Sequence, residues 1–215
     1  MLLRLFPLAR VVLFPGQTLP LRVFEPRDQL LMTECIQEDE PLGIVLIKEG
    51  VEVGGPAVPH QIGTMARITG ASPAADGMLH VSVLGTQRFR ITSIDDSRPY
   101  LRAEVESVLD EFAEVNSEVL RFARSGLVRT KQLQSIAAGE FEREYRVAST
   151  PGAVADAIAG QAPADAERLQ SILETANVRQ RLDTVLPMLE SVVAQARLMA
   201  ARAASSRWAG FGLTN

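Results

Sequence analysis

The stretch FPGQTLPLRVFEPR, residues Phe14 to Arg27, decides the reading of this chain. Pro15-Gly16 predicts a turn, because proline presets φ and glycine supplies the backbone freedom that a tight bend needs. Leu19 to Phe24 then reads as a short strand, and Pro26 suits the first turn of a helix. Strand, turn, strand and helix are thus written into one short segment that holds no catalytic pattern, which points towards architecture and binding.

Working outward, residues 1–109 read as β-rich. Gly43 to Lys48 is a run rich in β-branched residues, expected to be a strand buried on both faces. Residues 49–61, with three glycines and two prolines, predict a loop, and residues 72–77 a turn. Leu79, Val81 and Val83 alternate with His80 and Ser82. Phe89 and Ile91 face inward against Arg88 and Arg90, and Leu101, Ala103 and Val105 against Arg102, Glu104 and Glu106. A period of two with one wet face means an antiparallel or mixed sheet. Gly85 within the run predicts a bulge or sharp bend. One helix, Pro26 to about Glu38, interrupts the strands, pairing Leu31 with Cys35 and Met32 with Ile36. The acidic Glu38-Asp39-Glu40 behind it reads as a solvated helix exit.

Residues 110–203 read as a helical subdomain, with segments at about 110–124, 130–145, 151–159, 165–175 and 178–202. Pro151 behind Thr150 starts one helix, and Asn177 with Gln180 resembles a capping box. Leu182, Leu186, Leu189, Val193 and Ala196 form a stripe that Pro187 should kink or break. The stripe can close on its own domain or on a second copy, and periodicity leaves both open. The alanine-rich segment from Ala153 to Ala166 predicts a tight helix contact or a connector. Residues 204–215 predict a flexible tail, although Trp208 and Phe211 could dock on a neighbour.

Five pieces in order resemble the N-terminal domain of Lon protease, as found in small stand-alone proteins that lack its ATPase. They are Phe14–Arg27, Gly43–Gly50, Gly63–Ile68, Gly85–Ile91 and Tyr100–Val105, with a weaker match at Asn177–Leu189 that includes Arg181-Leu182. Asp28 stands where that family often has an aromatic. The resemblance implies an α+β fold: a PUA-like antiparallel or mixed β-barrel followed by a C-terminal helical bundle. It also implies a non-catalytic module that binds unfolded or extended polypeptide, or one specific partner protein. Candidate contacts are Phe24, Leu84 and the loop around Val51, Val53 and Val58. Ordinary packing is the competing reading of each.

Chemistry is scarce. A Walker loop needs a lysine behind a glycine-rich turn, and neither Lys48 nor Lys131 follows one. Lys131 also has no recognisable serine partner of the kind Lon's peptidase uses. His60, His80 and Cys35 offer no zinc spacing, so neither metal nor cofactor is expected. A hydrolase built on His80, Ser82 and Asp95 or Asp96 lacks a nucleophile elbow. A formal net charge of −4 argues against nucleic acid. That alternative needs a continuous patch from Arg88, Arg90, Arg98 and Arg102, for which a solvated strand face is the plainer reading. Cys35 alone permits no internal disulfide, which suits the cytoplasm, and its helical spacing reads as buried. Arg4, Pro7, Arg10 and Pro15 interrupt the apolar N-terminus, so the sequence predicts neither signal peptide nor membrane span.

Overall fold

A computed structural model describes residues 1–52, 54–55, 57–74, 77–140 and 144–209, the side chains of residues 207–209 excepted. The chain divides into two compact units. One is Met1–Glu111 with Ala164–Ala176; the other is Phe112–Pro163 with the chain from Asn177 onward.

The first unit holds the strands β1 (Leu2–Leu8), β2 (Thr18–Val23), β3 (Leu42–Gly50), β4 (Ala57–Pro59), β5 (Ile62–Pro73), β6 (Leu79–Asp95) and β7 (Arg102–Val108). They pair in the order β1-β7-β6-β5-β3-β4, with β2 on β6. β1 also pairs with β3 in parallel, Phe6 opposite Ile44, while every other pairing is antiparallel. The sheet is therefore mixed, as its alternation predicts, and the architecture is α+β.

Phe14 to Gln17 forms the expected turn. Pro15 occupies its second position, Gly16 has φ +80°, and the Gln17 amide donates to the Phe14 carbonyl at 3.2 Å. A left-handed φ at the third position is what a type II turn demands of glycine. The turn then binds β6: Gly16 N–H donates to the Gly85 carbonyl, and Gly85 N–H to that of Gln17, both at 2.8 Å. A Cβ on Gly85 would lie 2.6 Å from the Phe14 carbonyl oxygen, so only glycine lets the turn approach. The expected irregularity is present there, since Met65 faces Gln87 while Ala66 faces Gly85.

α1 (Pro26–Glu38) has Pro26 in its first turn and ends at Asp39, whose φ of 52° is left-handed. Leu31, Met32 and Cys35 are buried against Leu21, Val23, Leu42, Ile44 and Val83. Ile36, expected to pair with Met32 inside, is exposed. The acidic exit is not merely solvated. Glu40 (2.6 Å) and Glu38 hold Arg4 of β1 together with Glu34 (3.2 Å), and the Tyr100 hydroxyl donates to Glu34. The Tyr100 hydrogen bond, ahead of the opposing cost of burial, holds the Glu34 carboxyl below its usual range. This network ties α1 to β1 and to the chain leading into β7.

Two strand expectations need correction. The segment 49–61 is only partly loop: β3 runs to Gly50, and Ala57–Pro59 returns as β4, with Val58 opposite Glu49. Arg88 is not on a wet face. Its side chain is 4% exposed, because α4 (Ala166–Glu174) belongs with this unit and covers it.

The second unit contains α2 (Ser117–Ala138), α3 (Pro151–Ala159), α5 (Val178–Val185) and α6 (Leu189–Ala209). Thr150 caps α3 as expected, and the Asn177 side chain accepts from the Gln180 amide at 3.0 Å. Pro187 lies in a 3-10 turn, Leu186–Met188, that separates α5 from α6. Residues 110–116 are not helical, and the two helices expected at 110–124 and 130–145 are one. Gly126 does not interrupt α2; a Cβ there would lie 2.6 Å from Leu189 Cδ2, so the glycine admits α6 rather than ending a helix. The buried Val154, Ala155, Ile158 and Ala159 of α3 make the alanine-rich segment a tight helix contact. The chain stays helical to Ala209; Phe211 and the side chain of Trp208 lie outside the described residues.

Candidate functional site

The sheet unit carries an open cleft of about 560 Å³. Four segments build it: β1, the start of α1, the β3–β4 connection with β4, and the end of β6 with the turn into β7. Its wall is apolar, with Pro7, Val58, Ile94 and Leu101, and its rim carries Arg27, Asp28, Glu52, Asp96 and Arg98. Glu25 positions the connection. It pairs with Arg27 at 3.2 Å and accepts from the Gly54 amide at 3.2 Å, while Arg27 donates to the carbonyls of Glu52 (2.9 Å) and Gly55 (3.2 Å). The Phe-Glu-Pro-Arg motif therefore does more than start a helix. Its acid and its base fasten the cleft's second wall.

Asp28 stands apart from these groups. It lies in the first turn of α1, where an acid is favoured by the helix dipole. Its carboxylate makes no hydrogen bond or ion pair among the described residues. Burial, ahead of the opposing attraction of Arg27, pushes its pKa up to about 6.

A second, more polar cleft opens beside β4 and β6, and Val58 and Ile94 line both. There His60 sits with Nδ1 3.4 Å from Glu174 and Nε2 3.6 Å from Glu167, both on α4. Gln170 of the same helix donates to the Ile62 carbonyl at 2.9 Å, and Arg88 donates to that of Leu173 at 2.8 Å. These contacts seat α4 on the sheet.

The contact candidates do not converge. Val58 is 51% exposed on the wall shared by the two clefts. Val51 is exposed on the same connection, while Phe24 is exposed between β2 and α1 and does not line the cleft. Leu84 is half-buried opposite Thr18, at the far end of the β2–β6 ladder from Phe24. Val53 lies outside the described residues. Sequence reasoning missed Ile94 and Asp28. Only the departure at Asp28 from the family's usual aromatic offered a signal.

Strand addition meets an obstacle at two edges. Among the described residues β2 pairs only with β6 and β4 only with β3. Pro20 and Pro59 each remove a backbone donor from those strands.

The other candidate chemistries are not assembled. His80 is exposed opposite Arg22, while Asp95 lies at the other end of the long β6. Asp95 is committed locally: it accepts from the Ser97 amide at 2.9 Å and from Arg102 at 2.6 Å, and the Ser97 hydrogen bonds lead in lowering its pKa to about 2. Cys35 is 1% exposed, and burial pushes its thiol up to about 11. Among the described residues, no group of His, Cys, Asp and Glu could hold a metal ion, and no helix is long and apolar enough to cross a membrane. The four arginines of the supposed basic patch each lie within 4 Å of an acid: Arg88 at Asp110, Arg90 at Glu106, Arg98 at Glu34 and Arg102 at Asp95.

The family model for the ATP-dependent protease La (LON) substrate-binding domain matches residues 3–191. Lon protease 2 of Myxococcus xanthus is 30% identical over 195 residues, covering 87% of this chain and 23% of that protein. The chain spans about a quarter of the length of the curated relatives it matches. The crystal structure of a Lon N-terminal domain protein from Xanthomonas campestris superposes with a TM-score of 0.63 at 28% identity, covering 87% of this chain and 98% of that one. The N-terminal domain of the Mycobacterium avium complex Lon protease shares the fold, with a TM-score of 0.61 at 22% identity over 88% of this chain and 98% of that one.

Proposed function

The chain belongs to the ATP-dependent protease La (LON) substrate-binding domain family, and on that premise we propose that it binds polypeptide in extended or unfolded form. The observation that carries this reading is the open cleft, whose apolar wall is framed by charge. An extended chain presents apolar side chains and polar backbone together, and such a surface accommodates both. The module acts without an ATPase or peptidase of its own; any degradation of what it holds falls to another catalytic unit. A single dedicated protein partner is the narrower form of the same reading.

Two finer assignments accompany it. The sheet unit is of the PUA-like barrel type, a reading supported by the pairing of β1 with both β7 and β3. The division of labour falls near residues 109 and 110, with binding on the strand side. The lone buried Cys35 suits a reducing compartment, so we assign the cytoplasm. The acid partners of the arginines speak against nucleic acid as the ligand.

Fluorescence anisotropy of several unrelated unfolded polypeptides, each at two salt concentrations, tests the proposal. Micromolar binding that changes little with salt is the expected result. Val58→Asp places a charge on the apolar wall and should weaken binding by about tenfold or more. Binding to none of the polypeptides overturns the general reading in favour of one dedicated partner. ATP turnover by the purified chain would refute the non-catalytic assignment.

A further inference from the structure

The rim of the cleft is unevenly charged. Three carboxylates, Asp28, Glu52 and Asp96, face it with two guanidiniums, Arg27 and Arg98. Both cations are engaged by acids that do not line the cleft: Arg27 with Glu25 at 3.2 Å, and Arg98 with Glu34 at 3.6 Å. Of the carboxylates, only Glu52 has a local hydrogen bond among the described residues, from the Ala9 amide at 2.9 Å. Neither Asp28 nor Asp96 has a side-chain partner among the described residues that would neutralise it. The three acids do not form a metal-ligand group. Their complement is a single positive charge delivered on a carbon stem.

We propose that this cleft selects polypeptide segments carrying a lysine or arginine, whose aliphatic stem lies on the wall of Pro7, Ile94 and Leu101 and whose charged head reaches Asp28. The proposal rests on the polypeptide-binding reading above and narrows it. Lysine and arginine match the site in both chemistries, since they bury a methylene stem on apolar surface while keeping the charged head among polar groups. A half-buried carboxylate without a partner is unfavourable in the empty protein, and an incoming cation removes that penalty. Glutamine offers a similar stem but no charge, and glutamate would meet three like charges. The cleft therefore discriminates by charge at one position of an otherwise tolerated segment.

The test uses two labelled unstructured peptides that are identical apart from one lysine replaced by glutamine. Their anisotropy is titrated against the full chain and against Asp28→Asn, with thermal melts to confirm that the variant folds. The lysine peptide should bind the unaltered chain about tenfold tighter than its twin. In D28N that ratio should fall towards unity. Equal binding of the twins by the unaltered chain overturns this inference, and that measurement depends on no variant. A preference that survives intact in D28N overturns the role of Asp28. If unrelated unfolded polypeptides bind but the twins do not, only the charge selection fails; if none binds, the broader reading fails with it.

Discussion

Each unit of the chain buries an arginine, and the two are held differently. In the sheet unit, Arg88 donates Nε to the Leu173 carbonyl at the end of α4, while Nη1 lies 3.6 Å from Asp110, an acid still 41% exposed. In the helical unit, Arg181 has no exposed surface, and its Nε is 3.1 Å from Asp156, itself 4% exposed. The first arrangement satisfies a guanidinium with a helix-end carbonyl, where the dipole favours positive charge, and keeps its acid near water. The second removes both ions from water and sets them against each other. Breaking a fully buried pair strands a charge, whereas losing an arginine that docks a helix strands mainly a carbonyl.

That contrast sets the size of the expected effects. Arg181→Met should cost about 3–5 kcal/mol in urea unfolding followed by far-ultraviolet circular dichroism, because the buried Asp156 loses the guanidinium beside it. Replacing Asp156 by leucine in the same chain should recover most of the loss. Failure to recover would mean that the pair is not the unit of stability. Arg88→Met should cost less, about 1.5–3 kcal/mol, and should loosen α4, read as faster amide exchange at the end of that helix. An equal or larger loss than for Arg181 would dissolve the comparison.

The smallest effect has the opposite sign and concerns a carboxylate that makes no hydrogen bond or ion pair among the described residues. Asp28 has its pKa raised from 3.8 to about 6 in the folded chain. Its protonated form is therefore the one folding favours: the stabilising contribution is complete below 3.8 and lost as the pH rises through about 6. Such a shift corresponds to at most about 3 kcal/mol, and solvent around a group this exposed reduces it to about 1 kcal/mol. Asp28→Asn should accordingly be about 1 kcal/mol more stable than the unaltered chain at neutral pH and indistinguishable from it in acid. A variant less stable at neutral pH would mean that the helix dipole outweighs the burial. Stability gained where peptide discrimination is lost is the signature of a residue retained for binding.

Much of the fold was legible in local chemistry. α1 begins at Pro26 and α3 at Pro151 as read, because proline presets a helical φ and loses no hydrogen bond in the first turn. Asn177 caps α5, and Pro187 ends it, for reasons equally confined to a few residues. Alternation placed Val81, Val83, Phe89, Ala103 and Val105 inside. It failed at Arg88, since a period of two tells which face a residue occupies but not what later covers that face. The two helices expected at 110–124 and 130–145 are one for a related reason: glycine weakens an isolated helix, yet at Gly126 Leu189 fills the space it leaves. β4 was hidden by its proline, a residue that ordinarily marks loops.

The candidate site was less legible than the fold. Val58, a candidate from its loop, lines the cleft, but the structure sets the other candidates Phe24 and Leu84 at opposite ends of one ladder. Asp28 and Ile94 carried no periodic signal that would bring them together.

By itself the sequence determined the turn at Pro15-Gly16, the helix starts at Pro26, Pro151 and Asn177, and the inward face of most strands, because φ preferences and capping bonds are energies of neighbouring residues. Only the tertiary structure decided that α4 returns to the sheet unit, that Arg88 and Arg181 lose their water, and that Asp28 opens onto a cleft beside Val58 and Ile94. Those outcomes depend on segments tens of residues apart competing for the same apolar surface, and burial belongs to that packing rather than to any stretch of chain.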